Sequence, residues 1–467
     1  MTDKMFTRKR ILIKDIYQNV DKYMETQFTV AGWIHNIRKQ PPMAFIQMTD
    51  GSSSQQLQLV CSPEHSEQFQ DVFDKASKGA SIEVLGKLEK SIKENQLFDF
   101  IVLQLTVLGE CNNTTYPIKK KGNTLEYLRQ FEHMRIRTPI IESVMRIRNT
   151  LAKATHDFFQ SHQFKYVHTP VLTTNDCEGA GECFTVTTQY PTDEKPKAMY
   201  RKNELFKKPA FLTVSGQLHG ESYACGLGDI YTFGPTFRAE NSNTTRHLCE
   251  FWMIEPELCF TDLTQLMNLS EDYVKFCINS VLKDNMIDLE TLTRLDKELI
   301  ERLKLIVGNK FVRIPYSEAI DILTKTEKVF EEPVSWGIDL ASEHERYLAE
   351  EYFKLPTILY DYPKDIKSFY MKVNSDEKTV QAMDMLVPGI GELIGGSMRE
   401  DDYQKLDTIM KDKGISGLEW YLDLRKYGSV PHGGFGLGFE RLVLLSTGIK
   451  NIRDVIPYPR YPKHCKY

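Results

Sequence analysis

Residues 237–251, Phe237-Arg238-Ala239-Glu240-Asn241-Ser242-Asn243-Thr244-Thr245-Arg246-His247-Leu248-Cys249-Glu250-Phe251, carry the reading on which the fold turns. A strand-like run ending at Glu240 meets a loop of Asn, Ser and Thr, and a second strand-like run from Cys249 to Phe260 follows. Two β-rich arms around a polar turn signal a hairpin. Arg238 and Glu240 are one residue apart on the first arm, which in a strand puts both on one face. With Arg246, His247 and Phe251 nearby, that surface can hold a phosphate and a base together. The tetrapeptide FRAE is weak evidence alone, and an ion-paired surface hairpin is the plainer alternative.

Two further stretches raise its weight. His432-Gly433-Gly434-Phe435-Gly436-Leu437-Gly438-Phe439-Glu440-Arg441 is a glycine-rich strand running into a helix, with Arg441 in the first turns. Glycines let a backbone approach a ligand closely. The stretch is no phosphate loop, because GxxxxGK[ST] is absent, and no strand-helix-strand unit with a downstream acid follows as a dinucleotide motif requires. Between the hairpin and this strand, Ala382–Arg399 places Asp384 and Glu392 among small residues. Two carboxylates in such surroundings suit Mg²⁺ that keeps several waters and bridges phosphates, whereas a salt bridge between Glu392 and Arg399 is the alternative.

Working outward, residues 143–160 show an apolar stripe of Val144, Ile147, Leu151, Ala154 and Phe158 at helical spacing, leading into a strand at 164–172. Further strands at 209–216, 229–240 and 249–260 and helices at 263–284 and 290–306 predict an α+β domain with a mainly antiparallel sheet flanked by helices. Towards the N-terminus, FTVAGWI (28–34), MAFIQM (43–48), QLQLVC (56–61), SIEVLGKLEK (81–90) and FDFIVLQLTVL (98–108) read as five strands, with one helical stretch at 64–79 before the fourth. That order fits an OB-fold, a partly open barrel that often carries single-stranded nucleic acid, although another small barrel is possible. The expected organisation is a barrel over 1–110, a polar, basic linker over 111–139 and a larger domain over 140–467.

Bulk properties restrict the function. With 467 residues, 41% of them hydrophobic, the chain can bury a large core and spans two or three domains. A net charge of -5 excludes binding of nucleic acid through an overall basic surface, so such contacts must be local. Nine cysteines without a CxxC pair argue against a zinc site or a disulfide framework and fit a reducing cytosol. No apolar leader or stretch of 18 apolar residues is present, so a cytoplasmic protein with no membrane segment is expected.

Taken together, the helix and strand ending at Pro170, the FRAE hairpin and GLGFER (436–441) resemble the class II aminoacyl-tRNA synthetases, in order and spacing over almost the whole chain. The N-terminal barrel is similar to the anticodon domain of the aspartyl, asparaginyl and lysyl subgroup. VSGQLHGE (214–221), residues 233–257, VPHGGFGLGFERLV (430–443) and NIRDVIPYPR (451–460) resemble the asparaginyl family in particular. The resemblance implies activation of L-asparagine by ATP, with Mg²⁺, and transfer to the 3′ end of the asparagine tRNA. It also implies a homodimer built on helix 143–160 and Pro170. No covalent enzyme intermediate is expected.

The same resemblance assigns residues. Arg238 would hold the α-phosphate, while Arg441 would hold the γ-phosphate and stack on adenine; these two are the catalytic pair. Phe251 would cover the other adenine face, Glu240 its amino edge, and Arg246 and His247 the terminal phosphates, with Leu248 and Gly438 completing the ATP site. Asp384 and Glu392 would hold Mg²⁺. For asparagine, Glu178 and Gln217 would grip the α-amino group, with Ser215 and Arg238 beside them, and Arg399 would receive the side-chain carbonyl. The aspartyl family has a lysine where this chain has Gly220, so a positive charge is lost. Either Glu255 or Glu221 would accept a hydrogen bond from the amide NH₂, and an acid there would repel a carboxylate; a mismatched polar pocket rejects an analogue by roughly 10⁴-fold. In the barrel, Phe45 would stack an anticodon base, Gln58 would read a base edge, and Arg38, with Lys39, would meet phosphates. Barrel core is the alternative for Phe45.

Overall fold

A computed structural model describes residues 7–65, 70, 74–91, 96–119, 122–174, 183–188 and 204–467. Contacts divide the chain into two compact units, one running to Arg146 and taking in Met286–Leu292, the other comprising Ile147–Asn285 and Thr293–Tyr467.

In the first unit, β1 (Gln27–Gln40), β2 (Met43–Thr49), β3 (Leu57–Cys61), β4 (Ser81–Lys90) and β5 (Phe98–Gly109) form a closed barrel in the order β1-β2-β3-β5-β4. All five expected strands are present, and a parallel β3–β5 pairing completes the barrel. Alternation sends Ala44, Ile46 and Met48 of β2 into the core and leaves Phe45 half-buried and Gln47 exposed. Two short N-terminal helices, Ile13–Gln18 and Val20–Tyr23, were not expected from the sequence. Ile13 and Ile16 are fully buried in the barrel core, and Asp50 ties the first helix down by accepting from Ile13 N at 3.0 Å. Of the helical stretch expected before β4, residues 66–69 and 71–73 lie outside the described residues. Within the segment read as a linker, Leu125–Leu128 and Glu132–Arg135 are single helical turns around a 3₁₀ turn at Arg129–Phe131.

The second unit adds β6 (Lys165–Tyr166), β7 (Leu172–Thr173), β8 (Thr185–Val186), β9 (Ala210–Leu212), β10 (Asp229–Phe237), β11 (Glu250–Cys259), β12 (Val312–Pro315), β13 (Thr357–Pro363), β14 (Thr379–Val387), β15 (Gly391–Met398) and β16 (His432–Gly438). An eight-stranded sheet runs β12-β13-β14-β15-β16-β11-β10-β6 and is antiparallel except where its two edge strands pair. β7, β9 and β8 form a small separate sheet. The helix Leu263–Asp284 starts at Asp262, whose carboxylate accepts from Gln265 N at 2.8 Å, and packs Tyr273 against Phe159 of the Pro139–Ser161 helix. The single helix expected over 290–306 is two helices, Met286–Leu292 and Leu299–Gly308. Asp296 marks the break: its carboxylate accepts from Glu298 N at 3.2 Å and pairs with Arg302 at 2.5 Å, a local arrangement that competes with helix continuation. Among the described residues, no helix is long and apolar enough to cross a membrane.

Candidate active site

β10 and β11 form the expected hairpin, with Phe237 opposite Glu250 and Thr236 opposite Phe251. Arg238 and Glu240, however, lie beyond the strand end, so their shared orientation does not come from strand alternation. Arg238 N still donates to Cys249 O at 3.0 Å, and its guanidinium sits 5.6 Å from the Phe251 ring. Both residues line a cavity with Arg246, His247, Leu248 and Phe251. Glu392, Gly438 and Arg441 complete the same wall, so the residues expected at ATP are brought together. Nδ1 of His247 lies 2.7 Å from Thr244 Oγ1 and 3.1 Å from Ser242 Oγ, a use for the polar loop residues. Burial, then Arg441, lowers the His247 pKa and keeps the ring neutral beside the arginines.

The helix Phe439–Thr447 aims Arg441 at β15, where its Nη1 donates to Glu392 O at 2.8 Å and lies 3.3 Å from the carboxylate. Glu440 faces the other way, bonded to Arg148 at 2.7 Å and to Trp252 N at 3.0 Å, which fixes the start of that helix. The glycines of β16 serve protein contacts as well as the cavity. A Cβ at Gly434 would lie 2.3 Å from Glu257 Oε1, and one at Gly436 would lie 2.7 Å from Met253 Cε.

Asp384 and Glu392 converge on Gly395, where a Cβ would be 3.0 Å from Glu392 Oε1 and 3.4 Å from Asp384 Oδ1. Burial raises the Asp384 pKa, Glu392 adds to the rise, and Lys367 at 2.6 Å opposes it. Glu345 is also drawn in: its carboxylate accepts from Glu392 N at 3.2 Å, and burial with the Glu392 charge raises its pKa to about 7. The residues fit a divalent cation that takes two carboxylates and completes its shell with phosphate oxygens and water. Among the described residues, no group of three or more His, Cys, Asp or Glu is placed to hold a metal ion.

A second cavity adjoins the first and shares Arg238, Met253, Glu392 and Gly436 with it. Ser215, Gln217, Glu255 and Arg399 line it as expected, whereas Glu221 does not. Glu255 is heavily engaged by the protein itself: its carboxylate accepts from Ser215 Oγ, from Gly216 N at 2.9 Å and from Thr232 Oγ1 at 3.0 Å. Glu221 lies fully buried behind the cavity, accepting from Arg425 at 2.8 Å, Tyr421 at 2.7 Å and Gln217 at 3.0 Å, with His432 at 3.0 Å. Burial works to raise its pKa, but Arg425, His432 and Arg399 prevail and hold the carboxyl well below the usual range. Glu178 falls outside the described residues.

The acid that meets Arg399 in this cavity is Glu257, which the sequence reading passed over. Arg399 donates from Nη2 at 2.5 Å and Nε at 3.2 Å to the two oxygens of Glu257, while Nη1 donates to Ser397 Oγ at 2.8 Å. Burial raises the Glu257 pKa to about 7 against the pull of Arg399. A Cβ at Gly220 would lie 3.8 Å from Glu257 Cγ, so a long side chain starting at 220 would run beside this acid. The period-two rule could have found Glu257, because it lies two residues beyond Glu255 on the same face of β11. Lys367, Arg425 and Glu345 had no comparable signal; each comes from a segment distant in sequence.

In the barrel, Phe45 faces outward, with the Arg38 guanidinium 5.0 Å from its ring. It is therefore not barrel core. Gln58 on β3 donates to Asp99 at 3.4 Å and pairs in register with Gln47.

A hairpin and a glycine strand framing two joined cavities on an antiparallel sheet define the architecture of a class II tRNA synthetase. The family described as tRNA synthetases class II (D, K and N) matches residues 124–462, and the OB-fold nucleic acid binding domain matches residues 28–108. Asparagine--tRNA ligase of Cytophaga hutchinsonii is 49% identical over 98% of this chain and 100% of its own, and that of Phocaeicola vulgatus is 51% identical over 94% and 95%. The crystal structure of asparaginyl-tRNA synthetase from Pyrococcus horikoshii complexed with asparaginyl-adenylate superposes with a TM-score of 0.86 at 32% identity, covering 98% of this chain and 100% of that one. The chain belongs to the class II tRNA synthetases and, within them, to the asparagine–tRNA ligase family.

Proposed function

We propose that this chain activates L-asparagine with ATP to asparaginyl-AMP, releasing pyrophosphate, and then transfers asparagine to the 3′ end of the asparagine tRNA. The observation that carries the proposal is the junction of the two cavities at Arg238, between Phe251 on one side and Ser215, Gln217 and Arg399 on the other. In-line attack by a carboxylate on the α-phosphorus brings two anions together, so a fixed cation at their meeting point both orients and neutralises them. Arg238 is that cation. Phe251 and Arg441 would sandwich adenine, Glu240 would meet its amino edge, and Arg246, His247 and Arg441 would take the terminal phosphates. Asp384 and Glu392 would hold Mg²⁺, which neutralises phosphate charge when bound.

Within the amino-acid cavity, Gln217 and Ser215 would receive the ammonium, with Glu255 holding Ser215 in place. Arg399 would donate to the side-chain carbonyl, and Glu257 would accept from the amide NH₂. A substrate carboxylate would meet an Arg399 whose charge Glu257 already balances, and Gly220 supplies no second cation. Outward-facing Phe45, with Arg38 and Gln58, would contact the anticodon. A cytoplasmic homodimer formed through the Pro139–Ser161 helix and Pro170 completes the proposal.

Exchange of labelled pyrophosphate into ATP tests it. Exchange should depend on asparagine, with aspartate at least about 10³-fold poorer in kcat/KM. Absence of exchange would overturn the enzyme reading, and preference for aspartate would overturn the specificity.

A further inference from the structure

The Gln217–Leu227 helix and β11 meet behind the amino-acid cavity, and each carries a cysteine at the meeting point. Gly228 N donates to Ala224 O at 2.8 Å to close the helix, and Cys259 N donates to Gly228 O at 3.2 Å, so both elements share one turn. Cys259 is buried against Ala224 and Ile230, and Cys225, half-buried, packs against the same cluster. Packed in one cluster, the two thiols are close enough for each to perturb the other's proton affinity. Their positions are tied to the pocket. Cys225 lies one turn after Glu221 on the same helix face, and Cys259 lies two residues after Glu257 on the same strand face. Both of those acids face Arg399, at 3.9 Å and 2.5 Å.

We propose that Cys225 and Cys259 form a redox site, in which reversible oxidation to a disulfide weakens asparagine binding. Contact with Cys259, aided by His432 and Arg425, holds the Cys225 thiol at about 6 despite its burial, whereas Cys259 is pushed upward. Cys225 is the more exposed of the two and therefore the one a peroxide reaches, and the lowering of its pKa favours attack as the thiolate. Its Sγ attacks one peroxide oxygen, the O–O bond breaks, and hydroxide leaves and takes a proton to become water. Cys259 Sγ then attacks the sulfenic sulfur, its proton leaves with the departing hydroxyl as a second water, and the disulfide forms; two thiols are oxidised and one peroxide is reduced. Bond formation draws the sulfurs from contact to about 2 Å, pulling the end of the helix and the end of β11 together. Glu221 and Glu257 are carried on those same segments, so the Arg399 cluster shifts.

The effect on asparagine rests on the proposed function, but the disulfide itself does not. Full-length protein treated with hydrogen peroxide and digested without reductant should yield one cross-linked peptide pair containing Cys225 and Cys259, lost on adding dithiothreitol. In pyrophosphate exchange the oxidised protein should show an asparagine KM raised about threefold or more, with ATP KM within about twofold, and both restored by dithiothreitol. Cys225→Ser should keep the reduced enzyme's activity and abolish both the cross-link and the KM change; Cys259→Ala gives an independent second variant. Absence of that peptide pair would overturn the redox site without touching the asparagine assignment. A cross-link with an unchanged asparagine KM, or a KM change that survives in Cys225→Ser, would overturn the coupling.

Discussion

Glu257 and Arg399 are both buried in the wall of the cavity, so each hydrogen bond between substrate and this pair is worth more than at the surface. Replacing Glu257 by Gln removes a charged acceptor and loosens Arg399, at a cost of about 1.5–3 kcal/mol for one charge-assisted bond. We expect asparagine kcat/KM to fall about 10- to 100-fold, with ATP KM within about twofold. A Glu257→Gln enzyme with normal asparagine KM would remove this residue from recognition, and a larger loss in Glu255→Gln would move the role there. The raised pKa of Glu257 adds a pH signature. The ionised carboxylate is the stronger acceptor, so asparagine affinity should strengthen as pH rises through about 7, while aspartate gains as Glu257 is protonated below that value. For stability the sign is opposite. The folded protein holds this proton more tightly than the unfolded chain, whose value is 4.5, so the group's contribution declines as pH rises from about 4.5 to about 7. KM values for both amino acids across pH 6–8, taken as a ratio, check the functional half; a flat ratio would refute it. At the nucleotide, Arg441→Ala should lower kcat about 10²- to 10³-fold, read in pyrophosphate exchange at saturating ATP.

At the scale of elements, β16 joins the two cavities because it lacks side chains where β11 approaches it. A Cβ at Gly434 would meet Glu257 Oε1 at 2.3 Å and Pro256 O at 2.4 Å, and the latter is backbone that cannot turn aside. Gly434→Ala should therefore lower stability by about 1–3 kcal/mol and displace Glu257, seen as a reduced Tm together with a raised asparagine KM. Intact stability and kinetics would show that the strand can shift. The hairpin and the glycine strand were legible in the sequence because turn residues and apolar alternation are local signals. Arg238 and Glu240 were placed in one cavity for a reason the sequence did not supply: the strand ends at Phe237, and pairing with Cys249 directs the chain afterwards. The break at Asp296 and the short Ile13–Gln18 helix carry no readable local signal for a related reason. Six residues give too little periodicity to read, and Asp296 acts through Glu298 N and the Arg302 guanidinium at the start of the following helix, contacts that apolar spacing does not record.

For the whole molecule, the barrel and the catalytic sheet call for separate measurements. Phe45→Ala should raise the KM for asparagine tRNA by about tenfold, the loss of one stacked base, and leave asparagine-dependent pyrophosphate exchange unchanged. A change in exchange without a change in tRNA KM would show that Phe45 serves folding instead. Sequence alone determined the succession of barrel and α+β domain, the family resemblance and the residues that line the first cavity, because strand periodicity, turn residues and the motif strings are all written within short stretches. Tertiary structure decided which acid stands before Arg399. Glu221, Glu255 and Glu257 are indistinguishable as carboxylates, and their roles separate only through the neighbours that fill their lone pairs. Arg425 and Tyr421 occupy Glu221, Ser215 and Thr232 occupy Glu255, and Glu257 is left facing the cavity beside Arg399. Those neighbours come from elements up to about two hundred residues apart in the chain, and only folding brings their charges within hydrogen-bonding reach.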